Sequence, residues 1–598
     1  MRDAVKRPDG QSARALANQR IATRAHLAGG FVSESDSKNR PRRCAFHFEQ
    51  PRDAMRKHAR FPRAGAREYE VVTDGCADRF ALSRIEAVQQ MRNIHRRIVM
   101  CGERFRSSRM NRLMLSSIKL VSLAMLIFRI SFFVIVAAWA ASAVAQDSPR
   151  YEMRLADDGG AVSVRLCLKQ SHASVEFAAD SSAAMQYIRD LHRDGNAATN
   201  KRADSWTAND WRGGECLSYE VNLDAIAAMH DKDVGWRLGD DRVSAPQLLL
   251  LRPDVQRDAD AEAIVTLPQG WNFSAPWHEK SHDKKSILFD IPNTPANWSA
   301  NVAFGHFSEE RILLPGGMLR VSILHGADEP QRKQLHDWLS RVTRAILSAY
   351  GRLPIPDVQV LVFPLTSHGR AVIFGQSIRG EGNALELLVD ASRPASEFAS
   401  DWVAVHELSH LMHPYLGDSG SWLAEGLATY YQNVLRARAG LLTPAQAWDR
   451  LREGFSGQRT TYGTPLVDAA RGMHSTHDFQ RVYWSGAAFW LTVDRDLRRG
   501  SNGKLTLDVV LSRFHDCCLP AYQGWHPDDF VAKLDELAGT ETISTRYREF
   551  AAMRTFPDWE KVYEDLGIHE AGTRLRIDAN AKNAALRDAI MAPRSTPN

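Results

Sequence analysis

Residues 406–410 read His406-Glu407-Leu408-Ser409-His410, and fifteen positions later Glu425 stands within Trp422-Leu423-Ala424-Glu425-Gly426. On a helix, side chains four apart share a face, so His406 and His410 can grip one zinc ion with Glu407 beside it. Glu425 can complete a set of two imidazoles and one carboxylate, a known ligand set for catalytic zinc, in which three protein ligands leave one position open. An ion held this way lowers the pKa of water from about 15.7 to about 7. Glu407 adjoins a ligand without being one, which suits a general base that takes a proton from the attacking water and passes it to the leaving amine. The expected chemistry is metal-assisted hydrolysis of a peptide bond.

Several nearby groups compete for these roles. His413 follows His410 by three residues and could approach the metal, but a histidine at a helix C-terminus is also favoured by the dipole alone. Asp418, in the connecting loop, is a weaker third ligand than Glu425. A metzincin pattern would need Gly at 413 and His at 416, where this chain has His413 and Leu416. Gly417-Asp418-Ser419-Gly420 matches the nucleophile segment of chymotrypsin-like serine proteases, but it lies between the two presumed zinc helices and lacks that order of His and Asp upstream. His474 and His477 are read as residues of a solvated loop.

These groups need helices to position them. Helix-start signals lie around Ser396 and Asp401, and Pro414 ends the helix because the residue before proline avoids α geometry. His406 and His410 are therefore expected well inside it. Gly417 and Gly420 turn the chain, and Ser421 is the expected cap of a second helix bearing Glu425. Upstream, Leu319 to Leu324 and Val358 to Phe363 suit strands, while Leu335, Leu339, Val342, Ile346 and Ala349 keep the spacing of an amphipathic helix. From Tyr151 to about Leu319, short β-rich runs alternate with turn residues, which predicts an antiparallel β domain. Trp271, Trp277 and Trp298 in it are expected in the core rather than on a binding surface. From Gln446 onward the pattern is mostly helical.

The 598-residue chain, 44% hydrophobic, is long enough for two to four domains. Residues 1–109 hold 24 Lys/Arg against 12 Asp/Glu, whereas residues beyond 145 hold 49 against 59, so the basicity belongs to the leader. Its arginines form no stripe and interleave with no aromatic residues, which argues against nucleic acid as a partner. Residues 1–109 are read as an unfolded tail or an upstream extension from a misplaced start codon. Within 110–145, Arg129 precedes a largely apolar run from Ile130 to Trp139, and Ala143-Val144-Ala145 follows, as in a secretory signal peptide cut after Ala145. Such a protein is periplasmic or secreted; the alternative is a retained membrane anchor. Past the leader only Cys167, Cys216, Cys517 and Cys518 remain, an even number that suits an oxidising compartment. Cys167 with Cys216 is the preferred pair, and the adjacent Cys517 and Cys518 are either bridged or free and buried.

His-Glu-Leu-Ser-His, Trp-Leu-Ala-Glu-Gly-Leu-Ala-Thr-Tyr-Tyr and Tyr483-Trp484-Ser485-Gly486-Ala487 together resemble the gluzincin metallopeptidases, and within them the glycyl aminopeptidase family, related to the alanyl aminopeptidase group. The resemblance covers about 260–570 and includes Leu267-Pro268-Gln269-Gly270-Trp271. It implies an α+β fold with a β-rich N-terminal domain at 146–318, a thermolysin-like zinc peptidase domain at 319–495 and a helical C-terminal region at 496–598. It also implies one Zn2+ per chain on His406, His410 and Glu425, Glu407 as base, and Tyr483 as the hydroxyl that stabilises the oxyanion. Two departures stand out: the His410 to Glu425 interval is shorter than in the alanyl group, and the Gly-x-Met-Glu-Asn strand that holds a substrate amine is missing. Its nearest counterpart, Gly375 to Asn383, offers Glu381 as a substitute. The expected substrate is a peptide or protein, with a membrane as partner only if the signal segment is retained. The competing reading is a non-catalytic envelope binding protein on a peptidase scaffold.

Overall fold

A computed structural model of the chain describes residues 148–593 except 180–183, 197–198, 203, 232–233, 256–258, 284, 367–368 and 573. The leader at 1–109 and the signal segment at 110–145, with its cleavage point, lie outside the described residues. Among the described residues no helix is long and apolar enough to cross a membrane.

The β-rich part is built on a seven-stranded sheet whose spatial order runs His278–His282, Ser286–Ile291, Ala261–Thr266, Arg150–Leu155, Ala161–Cys167, Cys216–Asn222 and Ile188–Arg193. Alternate residues such as Val162, Val164 and Leu166 point into the core, the period-two pattern of a half-buried strand. The expected antiparallel character needs one correction: Arg150–Leu155 and Ala261–Thr266 pair in parallel. A parallel pair needs a long crossover, and the roughly hundred residues between these strands supply it. That excursion is invisible in local spacing. Trp277 and Trp298 are buried as expected, while Trp271 is only half-buried and packs against His306.

The second unit centres on a mixed five-stranded sheet. Its strands are β1 (Glu309–Leu314), β2 (Gly317–Ile323), β3 (Asp357–Leu365), β4 (Val372–Ile378) and β5 (Ala384–Asp390), in the order β1-β2-β3-β5-β4. The β1–β2 hairpin straddles the expected domain boundary at 318. Between β2 and β3 runs helix α1 (Glu329–Tyr350), started by a capping box of Asp328 and Gln331. Its residues Leu335, Leu339, Val342, Ile346 and Ala349 are all buried, so the apolar stripe read from spacing is its packed face. Strands β4 and β5 had no counterpart in the sequence reading.

Three more helices build the site: α2 (Val403–Ser409), α3 (Ser421–Arg438) and α4 (Phe479–Gly500). Helices α3 and α4 meet at glycine. A Cβ on Gly426 would come within 2.3 Å of Gly486, and one on Gly486 within 1.9 Å of the Trp422 carbonyl oxygen. Further along the same pair, the Tyr430 hydroxyl donates to Asp494, which also pairs with Arg498, and Arg438 reaches Asp508. The C-terminal part is mostly helical, with one small hairpin, Ile568–Ala571 and Arg574–Ile577. Both cysteine pairs are bridged, Cys167 to Cys216 across neighbouring strands and Cys517 to Cys518 at a helix end.

Candidate metal centre

Helix α2 is shorter than its sequence suggests. A separate helix, Ala395–Ser400, precedes it, the chain extends at Asp401, and the Asp401 carboxylate accepts a hydrogen bond from the Val403 N–H at 2.7 Å. At the other end, regular geometry stops at Ser409, and His410–Met412 continues as a 3-10 turn. His413 is extended, as a residue before proline must be. The expectation that both histidines lie well inside one helix is therefore corrected for His410. It sits on the tightened last turn, because Pro414 acts several residues upstream of itself. Ser421 is corrected too: it is the first residue of α3, Gly420 precedes it without side-chain capping, and its hydroxyl donates to the Asp418 carbonyl.

Despite these shifts, His406, His410 and Glu425 converge. Their ligand atoms lie within 4.8 Å of one another, the one group of this kind among the described residues. The Glu425 Oε2 stands 3.2 Å from His406 Nε2 and 3.5 Å from His410 Nε2. Tetrahedral zinc with bonds of 2.0 to 2.1 Å separates its ligand atoms by about 3.3 Å, so the spacing fits the ion.

The hydrogen bonds on the far side of each ring decide its tautomer. His406 Nδ1 is 2.8 Å from the side-chain amide oxygen of Gln432, an acceptor, so Nδ1 carries a proton and Nε2 faces the Glu425 carboxylate. For His410 the relay is longer. His413 Nδ1 lies 2.7 Å from the Pro414 carbonyl and must donate, which leaves its Nε2 to accept from His410 Nδ1 at 3.0 Å. With Nδ1 engaged on each ring, Nε2 is the nitrogen left to meet a metal once it carries no proton. His413 is neither ligand nor mere helix terminus; it orients His410. Gln432 went unnoticed in the sequence, although it lies seven residues, two helical turns, after Glu425 on the same face.

The electrostatics follow from burial and neighbours. Burial raises the Glu407 carboxyl above its ordinary value, an effect moderated by His406, His410 and the Ser377 backbone N–H. Burial also pushes Glu425 up, but His410 and His406 outweigh it and hold that carboxyl well below the usual range. Burial pulls His406 down, yet its contacts with Glu425, Glu407 and Gln432 leave it raised overall. His413 is held well below its ordinary value, first by burial and then by Arg379 and His410. Glu407 is also confined sterically: a Cβ on Gly375 of β4 would lie 2.9 Å from its Cγ.

A cleft of about 60 Å³ opens against this cluster, with Ser377, Arg379, Glu407, His410, Tyr415 and His474 among its walls. The reading of His474 as a loop residue is corrected, since it lies on a short helix, Met473–Thr476, lining the cleft. Tyr483 is on α4, 4% exposed, with its ring stacked on that of His406 at 5.9 Å and 7°. It is not among the residues that wall the cleft. Glu381 is elsewhere: its carboxylate takes hydrogen bonds from Arg252 at 2.5 Å and from the Trp277 ring N–H at 2.8 Å, so it is not offered to a substrate amine. Asp418 is exposed at the cleft rim.

Residues 404–486, the segment holding His406, Glu407, His410, Glu425 and Tyr483, match the M61 glycyl aminopeptidase family. The resemblance drawn from the motifs is borne out by that match. Among solved structures, an aminopeptidase N family protein from Idiomarina loihiensis aligns with 70% of this chain and 78% of its own at 16% identity and a TM-score of 0.54, which shows a shared fold. An M1 zinc metallopeptidase from Deinococcus radiodurans aligns with 69% of this chain and 95% of its own, at 14% identity and a TM-score of 0.43. A search of the curated proteins finds no match to the sequence.

Proposed function

We propose that this chain is a zinc-dependent peptidase of the gluzincin kind, with His406, His410 and Glu425 holding one Zn2+ and Glu407 as the general base. The observation that carries the reading is the convergence of the three ligand atoms from two helices beside a buried, unliganded carboxylate. When bound, the ion supplies Lewis-acid polarisation and a more acidic water.

The chain's own residues supply the rest. Gln432 and His413 engage the far nitrogens of the two imidazoles and aim the rings, and Glu425 adds the negative charge that favours a divalent cation. Burial sets Glu407 above an ordinary carboxylate in basicity, so it can accept a proton from water and hand it to the leaving nitrogen. Tyr483 is proposed to donate to the developing oxyanion, supported by its ring lying flat against that of His406. A thermolysin-like arrangement of the catalytic unit belongs to the same proposal, as does export to the periplasm or medium, which the two disulfides favour.

Glu407→Gln should keep one zinc per chain by elemental analysis while lowering peptide hydrolysis by about 10²- to 10⁴-fold. Undiminished turnover would overturn the mechanism, and a purified protein devoid of zinc would favour the binding-protein reading. Aminopeptidase action is proposed from the family match. Peptides with free and with acetylated N-termini test it, and equal cleavage of both would make the enzyme an endopeptidase.

A further inference from the structure

The wall of the cleft carries a cation that the peptidase reading leaves without a task. Arg379 directly follows β4, the strand whose Ser377 N–H holds Glu407, and it lines the cleft with Glu407, His410 and Tyr415. Its Nη2 donates to the His410 carbonyl at 2.6 Å and to the His413 carbonyl at 3.4 Å, which fixes the guanidinium against the end of the metal helix. Its Nε and Nη1 make no hydrogen bond to the described residues, and none of their carboxylates lies within ion-pairing distance of it.

Four fully buried arginines each face a carboxylate, whereas buried Arg481 is held by carbonyl and hydroxyl oxygens, as Arg379 is by carbonyls, but does not line the cleft. Arg193 faces Glu215, Arg320 faces Asp357, Arg438 faces Asp508 and Arg498 faces Asp494. Arg379 is half-buried and Glu425 and Glu407 act on it only at a distance, so its cleft-facing side is open to an acidic partner that arrives with the ligand. The acidic groups of the cleft are otherwise engaged: Glu425 faces two imidazoles, Glu407 is held by Ser377, and Asp418 is out at the rim.

We propose that Arg379 is a specificity residue that binds a carboxylate of the peptide substrate close to the scissile bond. A free guanidinium N–H can donate a charge-assisted hydrogen bond to a carboxylate oxygen, and anchorage on the turn that carries His410 fixes where that carboxylate sits relative to the reacting bond. The inference rests on the peptidase reading. The carboxylate comes either from an acidic side chain beside the cleaved bond or from the C-terminus of a short peptide, and both present the same group.

Two sets of peptides separate these sources: pairs with Glu or Gln on either side of the cleaved bond, and pairs ending in a free acid or an amide. Zinc-loaded wild type should favour the acid member of one set by about ten- to hundredfold in kcat/KM, and the set showing it names the source. The same preference should appear in calorimetric affinities for the Glu407→Gln protein. Arg379→Gln should flatten the ratio with zinc content unchanged, whereas Arg379→Lys should retain part of it. Should Arg379→Gln lose zinc or fail to fold, the Lys variant decides, and an unaltered acid-to-neutral ratio there overturns the proposal. Equal handling of every pair by wild type also overturns it while leaving the peptidase reading intact. A zinc-loaded protein that cleaves nothing would refute the peptidase reading, and the acid-against-amide affinities would still decide the role of Arg379.

Discussion

The two histidines show how residues outside a proposed ligand set govern those within it. Gln432 and His413 each occupy the far nitrogen of a presumed ligand. Gln432→Leu or His413→Phe should therefore weaken zinc binding by about 10- to 100-fold, measured by competition with a chromophoric chelator. Protons compete for the same lone pairs. Because His406 is raised in the zinc-free site, it stays protonated to a higher pH than an ordinary histidine, and zinc must displace that proton. Affinity should thus rise with pH up to the raised value and fall on acidification below it, with proton release visible as a buffer-dependent binding enthalpy. A pH-independent affinity across that window would contradict the assignment. Tyr483→Phe should lower kcat by about 10²- to 10³-fold with little change in KM if its hydroxyl meets the oxyanion. The motif residues were legible because helix geometry ties a spacing of four to one face. Gln432, His413 in its actual role and Arg379 were not, because each acts through a hydrogen bond or a vacancy of partners that spacing does not encode.

Among the elements, the α3–α4 contact matters most, since α3 carries Glu425 and α4 carries Tyr483. Gly426 and Gly486 allow the two helix backbones to touch. Gly486→Ala would ordinarily favour a helix, but here the new methyl meets the Trp422 carbonyl. The variant should lose about 1 to 3 kcal/mol of stability in thermal unfolding and, with the helices pushed apart, lose activity beyond what its folded fraction explains. An increase in Tm would show that the contact is looser than described. The sequence held both glycines within recognisable motifs. Only the packing explains them as a pair. Likewise the strand-helix-strand order was readable, but β4 and β5 were missed, since β4 carries Gly375, Gln376 and Ser377 where apolar strand residues would be sought.

For the whole molecule, two kinds of cross-link are at stake. Reduction of Cys167–Cys216, which joins paired strands of the large sheet, should cost about 2 to 5 kcal/mol, seen as a lowered unfolding midpoint under reductant. Chelation should abolish hydrolysis and lower the melting temperature, and zinc should restore both, because an ion bound only by the folded state stabilises it by mass action. Export is tested separately: N-terminal sequencing of protein recovered outside the cytoplasm should begin at Gln146. By itself the sequence determined the amphipathic helix α1 and the alternation of β-rich and helical regions, and it pointed to the proposed ligands and base, because each is written in local periodicity. Tertiary structure alone decided that Arg150–Leu155 and Ala261–Thr266 run parallel, that Glu381 is consumed by Arg252 and Trp277, and that an unpaired arginine faces the cleft. Those outcomes depend on which distant groups meet after the chain has folded, and no spacing along the chain reports that.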